Sequence, residues 1–311
     1  MNRPGALRRN FCDGPATSPK LRIGLGFLVV AMAACNGMTD GDGNPMGPSG
    51  PLPPNSAVTY AAVGASDVTG IGSSSPCLAL FTDCPSSTGY VFVAASQLRS
   101  QGYTVAVSNL SIPTAVISAR SRTLGLEHGY QSFGNMIDQL VPFVPNDATL
   151  VTVFAGANDV RVILAALGQG AGGSDPAAFI DGQVRAFGEE YDDLVTGIRR
   201  RAPNTRIVVL NLPNMGALPF LAGGGSLERQ AAQRASVGMT STAINTLTSR
   251  GVRVVDLMCD QRFYQSSTYS ADGFHPNDQG YAILSEHVVR AATSASFPAP
   301  LSSCPPMTLI P

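Results

Sequence analysis

The chain has 311 residues, 44% hydrophobic and 13% charged, enough apolar content to bury a sizeable core and too much for wholesale disorder. Its net charge of −1 conceals a basic start: residues 1–34 hold Arg3, Arg8, Arg9, Lys20 and Arg22 against Asp13, leaving 15 basic and 20 acidic residues beyond them. That remainder lacks the basic footprint of a nucleic-acid binder, and with Lys20 the only lysine it excludes a Walker A lysine, a Schiff-base lysine or a lysine general base.

Residues 23–34 are 12 mostly apolar residues after the basic segment. A membrane-spanning helix needs about 20; the apolar part of an export signal needs roughly 7–15. The stretch Met32-Ala33-Ala34-Cys35 resembles a bacterial lipobox, with Met32 where leucine is usual. The resemblance implies a signal peptide over 1–34 and lipidation of Cys35. An ordinary secretory signal cut near Ala34 is the alternative. Residues 35–56 are rich in Gly and Pro and read as a tether. Such a tether holds a folded domain off a membrane surface, so the expected location is exported, periplasmic or at the cell surface, with membrane contact through the lipid anchor only.

Five short runs bounded by turn signals read as buried parallel strands: Val58–Val63, Tyr103–Val107, Thr149–Phe154, Arg206–Asn211 and Val252–Leu257. Between and after them, helical spacing marks Tyr90–Ser100, Pro176–Arg201 with Asp175 as its cap, Leu227–Ser249 and Asn277–Ala292. Arg199-Arg200-Arg201 reads as the solvated end of a helix. Alternating strands and helices imply a parallel sheet with helices on both faces, here over residues 57–293, with a tail over 294–311. Beyond the leader four cysteines remain, and an even count in an exported chain suggests two disulfides. Cys77–Cys84 with Cys259–Cys304 is the pairing preferred among three, because the first is local and the second would pin the tail. Zinc is a poor alternative, since neither C-x-x-C nor H-E-x-x-H occurs.

In open α/β sheets, ligands bind beyond the carboxyl ends of the strands. There this chain has Gly64-Ala65-Ser66-Asp67 after the first strand and Asn109 to Thr114 after the second. Gly156-Ala157-Asn158-Asp159 follows the third, and Asp272-Gly273-Phe274-His275 comes late. Each alone has a bland reading as a turn or a cap. Together they resemble the SGNH/GDSL hydrolase family, over roughly Val58–Ala292. The resemblance implies a three-layer α/β/α fold with a flavodoxin-like five-stranded parallel sheet. It implies an esterase or lipase with Ser66 as nucleophile, His275 as base and Asp272 as its orienting acid, and no cofactor or metal. The oxyanion hole would use Ser66, Asn158 and a backbone N–H from Thr114, with Ser111 as the fallback donor. Two positions depart from the family pattern: Ala65 stands where Asp is usual and Thr114 where Gly is usual. The substrate expected is a small-molecule, lipid or glycan ester, the apolar segment Val162–Leu167 flanking an acyl pocket. A surface binding module for glycans or other ligands, without catalysis, is the alternative. Of the other polar residues, His128 reads as a loop histidine, His287 and Asp256 as structural, and Asp159 as a helix cap.

Overall fold

The computed structural model describes residues 47, 48, 50–78 and 82–308. The expected signal peptide over 1–34 and Cys35 lie outside the described residues, as does most of the expected tether. The last stretch of that tether is packed: Leu52 is buried, its N–H donates to the Ala292 carbonyl at 2.8 Å, and Gly50 accepts from Arg206 at 2.7 Å.

Five parallel strands, β1 (Ala57–Gly64), β2 (Thr104–Ser111), β3 (Leu150–Phe154), β4 (Arg206–Leu210) and β5 (Arg253–Val255), form one sheet in the order β2-β1-β3-β4-β5. This is the flavodoxin-like order. β3 is buried at all five positions, as expected of a strand covered on both faces. β2 runs four residues past the expected end because its polar residues satisfy one another: the buried Ser111 hydroxyl donates to Asn109 Oδ1 at 2.6 Å. β5 is shorter than its apolar run.

The helices are α1 (Ser66–Thr69), α2 (Tyr90–Ser100), α3 (Ala119–Glu127), α4 (Met136–Gln139), α5 (Ala157–Gly168), α6 (Pro176–Arg201), α7 (Ser226–Gly238) and α8 (Asp278–Thr293). α2 and α8 pack together on one face; α3, α5, α6 and α7 pack against one another in the other layer. α2 and α6 keep the bounds read from the sequence. The Asp175 side chain caps α6 by accepting from the Ala178 N–H at 2.9 Å. No helix among the described residues is long and apolar enough to cross a membrane.

Three features differ from expectation. The single helix expected over Leu227–Ser249 ends as α-helix at Gly238, then continues as a π turn (Met239–Ile244) and a 3-10 turn (Asn245–Arg250). Its hydroxyl-rich sequence explains the change: Ser241, Thr242 and Thr246 donate back to the carbonyls of Val237, Gly238 and Ala243, competing with regular backbone bonding. α3 has no apolar stripe to announce it. It is held by small buried residues, Ser121 and Gly125, and by the Ser118 hydroxyl, which accepts from the Ser121 N–H at 3.0 Å. Arg199 is not solvated: it is 1% exposed and donates to the Thr205 carbonyl, and burial lowers its pKa to about 10. Arg200 and Arg201 are exposed.

The disulfides are Cys77–Cys84 and Cys259–Cys304, the preferred pairing, and bonds of this kind persist in oxidising compartments. The second fixes the tail, which also gives its Pro306 and Thr308 carbonyls to Asn214 and Gln233 and its Leu301 N–H to Asp256. A sequence separation of 45 makes this linkage contribute about 4 kcal/mol by chain entropy. Cys304→Ser is therefore expected to lower the free energy of unfolding by roughly 3–4 kcal/mol in denaturant titrations. A loss below about 1 kcal/mol would show that the tail's hydrogen bonds hold it unaided.

Candidate active site

Ser66 opens α1 at the carboxyl end of β1 and is 5% exposed. His275 Nε2 lies 2.8 Å from Ser66 Oγ, and His275 Nδ1 lies 2.5 Å from Asp272 Oδ2. The other Asp272 oxygen accepts from the Phe274 N–H at 2.8 Å, the His275 N–H at 2.9 Å and the Ser270 hydroxyl at 2.8 Å. Burial works to raise the Asp272 carboxyl, but these donors together hold it well below the usual carboxylate range. It is therefore a fixed anion beside the imidazole. The tight turn needs Gly273, whose φ is +68° and where a Cβ would lie 2.6 Å from the Phe220 nitrogen.

Asn158 sits in the first turn of α5, just past β3, and is 6% exposed. Gly156 before it has φ +117°, a conformation that a side chain rarely tolerates. One Asn158 Nδ2 hydrogen goes to the Ala115 carbonyl at 2.9 Å, and Oδ1 accepts from the Tyr130 hydroxyl at 2.7 Å. The amide is thus pinned at both ends, with its second N–H unused among the described residues. Tyr130 was not singled out by sequence; it follows a glycine in a polar loop, with no periodicity or motif to mark it. Burial pushes its hydroxyl up to about 12, so it stays a neutral donor.

Thr114 adopts φ +63°, one of two described non-glycine residues at positive φ. Two bonds offset the strain: Thr114 Oγ1 accepts from the Phe133 N–H at 3.0 Å, and its carbonyl accepts from the Ser132 hydroxyl at 3.0 Å. Its own N–H, like that of Ser66, donates to no described residue. Ser111 does not share this setting: it is fully buried inside β2, opposite Gly64.

The family model described as GDSL-like lipase/acylhydrolase matches residues 62–283. The chain belongs to this family. A GDSL-like lipase/acylhydrolase is an ester-hydrolysing enzyme, and the matched segment holds every group just described. Among solved structures, the chain is similar to an extracellular lipase from Streptomyces rimosus at 18% identity and a TM-score of 0.51, covering 76% of this chain and 100% of that one. A lipase from a goat rumen metagenome aligns at 17% identity and a TM-score of 0.49, covering 76% and 98%. Phospholipase A1 from Streptomyces albidoflavus aligns at 17% identity and a TM-score of 0.43, covering 73% and 95%. The first likeness shows the fold. A search of curated proteins found no match.

Within this GDSL-family frame two further carboxyls deserve placement. Asp67, beside Ser66, is 8% exposed; burial raises its carboxyl, and the nearby His275 pulls it down. It lines a cavity of about 30 Å³ with Phe154, Leu212, Met215, Leu218 and Phe274. Asp159 does not cap α5. It accepts from the Ile117 N–H at 3.1 Å and the Ser121 hydroxyl at 2.6 Å, tying α5 to the start of α3, and burial pushes it up to about 6. His287 packs in a structural cluster with Asp260 and Arg262, each at 2.8 Å. Asp256 holds the Cys259 and Leu301 N–H groups, and His128 ends α3. Val162 is buried against α3, where with Leu124, Ile163 and Asp159 it lines a cavity of about 10 Å³. Leu164 and Leu167, with the following glycines, line a groove of about 800 Å³ beside α6 and α7.

Two outcomes follow. Burial holds the folded Asp159 carboxyl at about 6, above its ordinary value of 3.8, so the native state binds the extra proton and its stability falls as pH rises from about 4 to 6. In Asp159→Asn that part of the fall disappears, a difference of roughly 3 kcal/mol at most. Denaturant midpoints of both proteins at pH 4 and 7 measure it; parallel pH dependences would refute it. Thr114→Gly keeps the N–H and relieves the positive φ, so esterase activity is expected to stay within about threefold of the parent. A hundredfold loss would mean that the Thr114 side chain is itself required.

Proposed function

We propose that this hydrolase cleaves carboxylic esters through Ser66, His275 and Asp272, with an acyl-enzyme intermediate. The unbroken hydrogen-bonded chain from Asp272 through His275 to Ser66 is the observation that supports the reading. Ser66 Oγ attacks the ester carbonyl as its proton passes to His275 Nε2. The imidazolium is stabilised by Asp272 through Nδ1–H. The tetrahedral oxyanion accepts from the Ser66 N–H, the Thr114 N–H and the second Asn158 Nδ2 hydrogen, donors of the kind that stabilise developing negative charge. Collapse expels the alcohol, which takes the proton from His275 Nε2. Water then attacks the acyl-enzyme with the same base, releasing the acid and restoring Ser66.

The reading extends to an exported protein anchored through Cys35. The two disulfides agree with an oxidising compartment. Labelling of the full chain with a radioactive fatty acid, lost in Cys35→Ala, tests the anchor.

Fluorophosphonate labelling of the full chain with peptide mapping tests the chemistry. Modification of Ser66 is expected; a folded protein that takes no label would favour a binding module on the same scaffold. Ser66→Ala is expected to lower kcat on short acyl esters by about 10⁴-fold or more, and Asn158→Ala by about 10²–10³-fold. Turnover by Ser66→Ala at the parent rate would sink the mechanism.

A further inference from the structure

Arg161 lies on α5, three residues after Asn158 and therefore on the same helix face. Its guanidinium carbon is 5.4 Å from the Tyr130 ring centroid and 5.0 Å from that of Phe274. Those two rings belong to the site. The Tyr130 hydroxyl holds the Asn158 amide at 2.7 Å. Phe274 precedes His275 and meets its ring edge-on at 4.9 Å, while Phe220 backs it at 5.2 Å. The guanidinium is thus clamped between the loop that orients the candidate oxyanion donor and the loop that carries the candidate base.

Several arginines of the described residues are neutralised by a carboxylate: Arg120 by Glu190, Arg234 by Asp181, Arg262 by Asp260. Arg161 is exposed and makes no ion pair or hydrogen bond with any described residue. The Asp272 carboxylate, held ionised beside His275, would repel an anionic substrate. A cation fixed at the edge of the candidate site reverses that preference locally. Rings on two sides limit its rotamers, so little entropy is lost when its fork of donors meets an anion.

We propose that Arg161 is an anion subsite at the edge of the candidate site, beside the Tyr130 and Phe274 rings, and that the preferred substrate is an ester carrying a phosphate or carboxylate group near the scissile bond. This rests on the reading of Ser66 and Asn158 as the reactive centre. Guanidinium binds both groups through paired N–H donors, so the shared chemistry is an oxyanion held beside the ester. Arg161 acts by binding and orienting the substrate, and takes no part in proton transfer.

The test compares matched butyryl esters. Glycerol and glycerol 3-phosphate give a neutral and a phosphate-bearing alcohol; ethylene glycol and glycolate give a neutral and a carboxylate-bearing one. In the parent protein, kcat/KM is expected to be at least tenfold higher for the charged member of one or both pairs at low salt. The pair with the larger ratio identifies the anion, and the ratio shrinks as salt is added. In Arg161→Gln the ratio collapses to about one, chiefly through KM, and Arg161→Lys restores part of it. Fluorophosphonate labelling of Ser66 in Arg161→Gln separates the two levels. Label retained with the ratio lost supports the subsite. Equal ratios in parent and variant, or a parent that prefers the neutral esters, overturn it. Failure of the parent itself to label would overturn the reading of the centre instead.

Discussion

The register of β1 between its two neighbours is the constraint on which the site depends. Gly64 pairs with Ser111 on one side and Phe154 on the other. The three strands therefore end at one level, and the chain leaves each within a few residues of the others. Ser66, Thr114 and Asn158 follow that level by two, three and four residues. No contact between these three loops is needed to bring them together; ladder hydrogen bonds and the apolar faces of β1 and β3 do so. A slip of one residue would turn every side chain to the opposite face and part the serine from its neighbours. The core thus sets the positions of the reacting groups as well as the stability.

The candidate base, His275, arrives by a different route. Asp272 and His275 are three residues apart and organise one another inside a single turn, where one carboxylate oxygen takes three donors from its own loop. The turn is local, but its placement is not: His275 meets Ser66 across 209 residues of sequence. α8 begins three residues later and packs on α2, so burial of that helix carries the preformed turn to the sheet edge. The loop with His275 and the loop with Ser66 can each be right alone and still fail to meet if that helix is displaced.

Legibility in the sequence followed the range of the forces involved. The strands were readable because burial on both faces leaves a run of branched apolar residues, and α2 and α6 because a long amphipathic stripe and an Asp-Pro start are local signals. The residues that meet at the candidate site were readable because short motifs stood at the ends of those runs. α3 was not, because small residues packed against Val162 leave no periodic trace. Nor was Arg199, a cation at a helix end like its neighbours until tertiary packing buries it. Tyr130 and Arg161 were invisible for the same reason: they stand out only through ring and amide contacts between loops that only the fold brings together.

The second block shows what such a site demands of the frame around it. Its left-handed residue is a threonine, a choice that costs roughly 1–2 kcal/mol relative to an ordinary conformation. The branched side chain that creates the cost also supplies Oγ1 to the Phe133 N–H, and the Thr114 carbonyl is held by Ser132. A glycine would relieve the strain and forfeit the first of these bonds, leaving the loop more conformational freedom in the unfolded chain. Threonine therefore exchanges intrinsic ease for local anchoring, and the same N–H is presented either way. Residues held in sparsely populated conformations persist only where their surroundings over-determine them. Here a carbonyl of the same segment, that of Ala115, holds the Asn158 amide, so the strained turn and the polar side chain fix one another. The departure from the glycine expected at this position is then a second solution to one requirement, a backbone turn held rigid beside a fixed side-chain amide.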